Sequence, residues 1–171
     1  MPKSLKLIIA IILPLAIGGF SGFLTANAIG TWYTTLNQPS FNPPNWVFGP
    51  VWSTLYLLMG ISFYRIWCLP ISKERTDAMM VFCVQMILNF FWSLIFFKWH
   101  FIGLALMEII VMWMMIATMI HLFRKLDAVA GWMNVPYLLW VAFASVLNGA
   151  YFVLRGSFTD IDKRARVSAV Y

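Results

Sequence analysis

The chain has 171 residues, 62% of them hydrophobic and only 11% charged, with a mean hydropathy of +0.82. One soluble domain of that length cannot hide so much apolar surface, so a water-soluble globular class is excluded and the bilayer is the solvent. The net charge of +6 sits in the flanks of apolar runs and not in a basic, aromatic-interleaved soluble domain, which argues against a nucleic-acid partner.

Five apolar runs, near residues 5–25, 46–68, 78–97, 101–123 and 136–154, approach the roughly 20 residues that a hydrocarbon core of about 30 Å demands of a helix. The runs are continuous and do not alternate, which selects helices over barrel strands. The expectation is an all-α, polytopic membrane protein: a bundle of five transmembrane helices over residues 1–155, with a loop at 26–45 and a polar, loosely ordered C-terminal tail at 156–171.

Lys3 and Lys6 precede the first run, and Ala26-Asn27-Ala28 follows it in the manner of a cleaved leader. The apolar stretch 7–24 exceeds the roughly 7–15 residues of a leader's core, so the segment reads as a retained helix. Gly18 and Gly22 place a G-x-x-x-G pattern on it, which permits close helix contact within the protein or across a dimer.

Between the first two runs lies an uncharged stretch that carries Pro39, Pro43 and Pro44 together with Trp32, Tyr33 and Phe41. Prolines restrict how such a segment folds and exposed rings need a cover, so it reads as a lid over an apolar opening.

Within the spans, polar and aromatic residues recur at helical spacing. Trp52, Tyr56, Met59 and Phe63 share a face of the second helix, as do Gln85, Asn89, Trp92 and Phe96 on the third. Tyr137, Trp140, Ala144, Asn148 and Tyr151 form a stripe on the last. Asn and Gln need hydrogen-bond partners in hydrocarbon, so the stripes turn inward. Trp32, Trp46, Trp67, Trp99 and Trp132 fit interfacial belts, whereas Trp52, Trp92, Trp113 and Trp140 lie deeper. Deep Trp rings facing Asn and Gln suit a flat conjugated ligand with a few polar atoms, although the amides could instead tie helices together.

Glu108 is the acid inside a span, and either a neutral carboxyl near the boundary or a proton relay would account for it. His100, His121, Cys68 and Cys83 have no partners at ligand spacing, so no metal is expected, and the cysteines read as packing residues. No catalytic constellation and no phosphate loop is visible, and no cofactor is required. Lys3, Lys6, Arg65, Lys73, Arg75, Arg124 and Lys125 fall on one side, with Lys98 opposite, and place the amino terminus in the cytoplasm, while Arg155, Lys163, Arg164 and Arg166 pull the other way.

Several motifs in order carry a family resemblance. Trp32-Tyr33, Leu36, Gln38-Pro39-Ser40, the run from Pro43 to Trp52, and Thr54-Leu55-Tyr56 with Met59-Gly60 form the first group. Asn89 with Trp92-Ser93 and Phe96-Phe97, then Pro136-Tyr137-Leu138 with Trp140, Ala144 and Leu147-Asn148, continue it. The chain resembles the translocator protein family, the tryptophan-rich sensory proteins and peripheral-type benzodiazepine receptors. The resemblance implies a five-helix bundle, a homodimer, and binding of porphyrins such as protoporphyrin or of similar flat hydrophobic molecules. It places Trp52, Asn89 and Trp140 against the ligand and Ala144 where the last helix comes close; Tyr56 and Asn148, on the same inward stripes, are the further candidate ligand-binding residues. Pro43, Pro44, Trp46 and Phe48 would shape the lid and mouth. The sterol-recognition pattern is matched only loosely by Leu147, Tyr151 and Arg155, so sterol binding is not expected. A bacterial cell membrane is the expected location. The alternative function is light- and oxygen-dependent breakdown of bound porphyrin, with Trp52 and Trp140 beside the excited ring.

Overall fold

The computed structural model describes the backbone of residues 1–168 and the side chains of residues 1–155. Five long helices, α1 (Lys3–Gly30), α2 (Asn45–Trp67), α3 (Lys73–Ser93), α4 (Ile102–Leu126) and α6 (Val135–Ser168), are joined by one long loop, between α1 and α2, and by shorter links. A five-residue helix, α5 (Ala128–Trp132), precedes the last of them. Segments Lys3–Gly30, Asn45–Trp67, Lys73–Lys98, Ile102–Leu126 and Ala128–Arg155 are each long and apolar enough to cross a membrane. The molecule is a multi-pass, all-α membrane protein.

Two boundaries differ from the sequence expectation. Residues 26–30 contain no proline and continue α1 to Gly30, which shortens the loop before α2 to residues 31–44. The backbone of α6 likewise runs to Ser168 and does not stop near 154, so most of the segment expected to be loose is helical.

Local chemistry explains the other ends. Ser72 accepts the Arg75 N–H at 3.1 Å and caps α3. Asp127 accepts the Ala130 N–H at 3.0 Å and caps α5. Beyond Ser93, α3 loosens into a π-helical turn at Leu94–Lys98, which ends at His100 with φ 60°. That left-handed residue lets the N–H groups of Trp99 and Phe101 fold back onto the carbonyls of Leu94 and Ile95.

Around the bundle the order is α2, α1, α3, α4, α6. Gly60 lets the backbones of α1 and α2 touch, since a Cβ there would stand 2.7 Å from the Ala10 carbonyl oxygen. The half of the bundle nearest the α2–α3 and α4–α5 links is solid. Met59, Phe63, Ile66, Phe82, Met86, Met112, Ile116, Met119 and Phe123 fill it, with the Phe63 and Phe82 rings stacked at 4.3 Å.

Polar ties close that end. Asn134 donates to Ser62 Oγ at 2.6 Å and to the Ala130 carbonyl at 2.9 Å, and Ser62 donates to the same carbonyl at 2.7 Å. Arg65 pairs with Asp127 at 2.8 Å. Partial burial would raise the Asp127 carboxyl, but the Ala130 N–H and the Arg65 guanidinium outweigh it and hold the group below its ordinary value. In the other half, α2 and α6 are bridged by side chains and do not pack backbone to backbone, and the space between them is the site.

An aromatic cavity beneath the loop

The cavity has a volume of about 380 Å³, within the range of small-molecule sites. Helix α2 contributes Phe48, Trp52 and Tyr56, one helical turn apart, so they line one wall. Helix α3 and its π turn add Trp92, Ser93, Phe96 and Phe97, and α6 adds Trp140, Ala144, Leu147, Asn148 and Tyr151. Trp52 stacks on Tyr56 at 5.4 Å with 26° between the planes, and Trp92 stacks on Phe96 at 5.5 Å. Phe48 meets Trp140 edge-on at 5.9 Å across the gap between α2 and α6. Among the described residues, no Lys, Arg, His, Asp or Glu lines the space.

The fourth wall is α1, built from small residues. Gly18 gives way to the Tyr56 ring, which occupies the place where a Cβ would be, while Gly19 and Gly22 have open space at theirs. Ser21 donates to the Gly18 carbonyl at 3.0 Å and Thr25 to the Ser21 carbonyl at 2.8 Å, so both hydroxyls spend their hydrogens on the helix and leave only lone pairs for the cavity. Sequence reasoning assigned this helix no ligand contact. The signal for it is the glycine and serine run at 18–22, which close helix contact explains equally well.

The loop is fastened by rings. Tyr33, in a 3-10 turn at Tyr33–Thr35, is 4% exposed and packs on Phe96, Phe97 and Tyr151. Its hydroxyl donates to Asn42 Oδ1 at 2.9 Å, and Asn42 donates in turn to Gln38 at 3.1 Å. Burial pushes the Tyr33 hydroxyl above its ordinary value, so it remains a neutral donor. Trp32 stacks on His100 at 4.0 Å, which ties the start of the loop to the end of the π turn.

Of the residues singled out from sequence, Trp52, Tyr56, Phe48, Trp140, Ala144 and Asn148 line the cavity. Asn89 does not. It is 2% exposed and stands behind Tyr56, whose hydroxyl donates to its Oδ1 at 2.7 Å. Trp46 is 75% exposed at the start of α2 and Pro44 precedes that helix, and both lie outside the wall. Trp113, grouped with the deep tryptophans, turns outward on α4 and takes no part in the cavity. Glu108 is also off the wall; its two carboxyl oxygens are buried and have no hydrogen-bond partner among the described residues.

Asn148 donates to the Ile102 carbonyl at 3.0 Å and accepts from Trp92 Nε1 at 3.4 Å, so it is committed to α3 and α4. Trp140 Nε1 is buried with no partner among the described residues, so its indole N–H on the wall is unspent there. The site is therefore a slot between aromatic faces, apolar in area, with few polar groups and no charge.

Residues 10–154 match the model of the TspO/MBR family. The chain is 39% identical over 152 residues to the tryptophan-rich protein TspO of Archaeoglobus fulgidus, covering 88% of this chain and 97% of that one. It is 38% identical over 120 residues to protein CrtK of Rhodobacter capsulatus, covering 70% and 75%. With the translocator protein of Bos taurus it shares 34% identity over 136 residues, covering 78% and 80%.

Proposed function

The chain belongs to the TspO/MBR family, and we propose that it is a membrane receptor or carrier for flat, hydrophobic tetrapyrroles of the protoporphyrin type, held in the aromatic cavity. The observation that carries this reading is the uncharged slot itself, with Trp52, Trp92, Trp140, Tyr56, Phe48 and Phe96 on its walls. A macrocycle offers large π faces, and each well-placed ring contact adds about 0.5–1.5 kcal/mol beyond simple burial. With no cation on the wall, carboxylate side arms stay outside at the polar boundary, because an unpaired charge inside would cost more than the rings return.

Titration of the purified protein with protoporphyrin in the dark, followed by tryptophan fluorescence, tests the reading. Saturable quenching is expected. Trp52→Ala or Trp140→Ala should weaken binding roughly two- to tenfold with the helical fold retained, the loss of about 0.5–1.5 kcal/mol of ring contact. Quenching that never saturates, or two folded variants that bind as tightly as the parent, would move the ligand elsewhere. The same titration under illumination in air distinguishes carriage from breakdown: a new chromophore that depends on Trp52 would replace the receptor reading by the photochemical one.

A further inference from the structure

Four polar side chains from three helices form one line that ends at the cavity wall. Gln85 and Asn89 on α3, Tyr137 on α6 and Tyr56 on α2 are all buried. Tyr56 donates to Asn89 Oδ1 at 2.7 Å, Asn89 Nδ2 donates to Tyr137 Oη at 3.1 Å, and Tyr137 donates to Gln85 Oε1 at 2.9 Å. At the inner end, Gln85 Nε2 is buried without a partner among the described residues. Of the four, Tyr56 is the one that lines the cavity.

A hydroxyl both donates and accepts, and a carboxamide presents its oxygen and its nitrogen in nearly the same shape. The same heavy-atom positions therefore serve the reversed line. Gln85 Nε2 then donates to Tyr137, Tyr137 to Asn89 Oδ1, and Asn89 Nδ2 to Tyr56. Each direction holds three hydrogen bonds, and each leaves one end of the Gln85 amide unpaired. The difference appears at the cavity. In the first direction Tyr56 shows the ligand a lone pair; in the second it offers its hydrogen.

We propose that this line makes Tyr56 a reversible recognition group, so that the cavity accepts flat ligands bearing either an N–H donor or a C=O acceptor at that wall. Gln85 is the positioning residue that permits both directions. The inference rests on the cavity being the ligand site. Gln85→Leu removes the acceptor for Tyr137, whose hydrogen then goes to Asn89 Oδ1; Met112 Sδ, 3.8 Å from Tyr137 Oη, is the weaker acceptor. The line is thereby held in the reversed direction, with the Tyr56 hydrogen facing the cavity.

Fluorene, 9-fluorenone and carbazole share a three-ring outline and differ in a bridging CH2, C=O or N–H, which makes them suitable probes. Competition against the protoporphyrin quench, in the full chain, should show the parent binding fluorenone and carbazole each more tightly than fluorene. Gln85→Leu should weaken carbazole about fivefold relative to fluorenone, the worth of one hydrogen bond. With Tyr56→Phe also present, the same substitution should leave that ratio unchanged. Should the Leu variant fail to fold, Gln85→Ala, which also removes the acceptor, takes its place. An unchanged ratio in the Gln85 variant, or an equal change with and without Tyr56, overturns the proposal. If none of the three probes binds the parent, the cavity is not the site and the proposal falls with it, whereas binding indifferent to Gln85 overturns the line alone.

Discussion

Asn89 accepts from a tyrosine of α2 and donates to a tyrosine of α6, so one side chain joins three helices. The helical spacing of Gln85, Asn89 and Trp92 marks an inward stripe, and an amide in hydrocarbon needs partners. Spacing does not reveal which groups supply them. A tyrosine ring is long, and Tyr56, itself on the wall, takes with its hydroxyl the bond that Asn89 would otherwise offer a ligand. Asn89→Leu should therefore lower the stability of the ligand-free protein by about 1–2 kcal/mol, toward the upper end for an interhelical bond in a membrane, because two hydroxyls lose a partner together. Thermal unfolding in detergent reads this directly. A melting temperature equal to the parent's, combined with weaker ligand binding, would return Asn89 to the wall.

Helix α1 shows what a whole element does through the side chains it lacks. Gly18 accommodates the Tyr56 ring and Gly22 leaves room in the cavity, so the two glycines of one motif have different tasks. Gly18→Ala would collide with the Tyr56 ring and disturb the line behind it, lowering stability and affinity together. Gly22→Leu meets open space and fills the slot, so affinity for protoporphyrin should fall about tenfold or more, roughly 1.4 kcal/mol, while the melting temperature holds. Parallel melting and quench titrations separate the two effects. A Gly22→Leu protein that binds like the parent would show that the ligand does not approach α1.

At the scale of the molecule, one end is closed by packing and the other holds the cavity and its loop. The closed end includes the Arg65–Asp127 pair, which joins α2 to the link between α4 and α5. Asp127 lies below its ordinary value in the folded protein, so its contribution is fully present above the unfolded value of about 3.9 and is lost as pH falls through the lower folded value. Arg65 is 41% exposed, so the pair contributes at most about 1 kcal/mol. Asp127→Asn retains a capping side chain and removes the charge. The parent's melting temperature should exceed the variant's at neutral pH, and the difference should shrink below about pH 4. A difference that stays constant into acid would mean that the charge contributes nothing.

Composition and run length alone determined the solvent, the helix count across the membrane and the three inward stripes. Those quantities depend on how many apolar residues follow one another and on where amides recur. Prolines and rings without charge marked residues 31–44 as an unusual loop, of which the structure sets Tyr33 on the cavity wall. Tertiary structure decided the rest. Trp113 and Trp140 carry the same side chain within long apolar runs, yet one faces outward and the other lines the cavity. In a soluble protein the polar face would have separated them. In a membrane both the interior and the lipid are apolar, so hydropathy cannot say which way a tryptophan turns. The glycine wall of α1 and the placing of Asn89 behind Tyr56 were hidden for a related reason: each depends on a side chain from another helix, and only the packed bundle brings the two together.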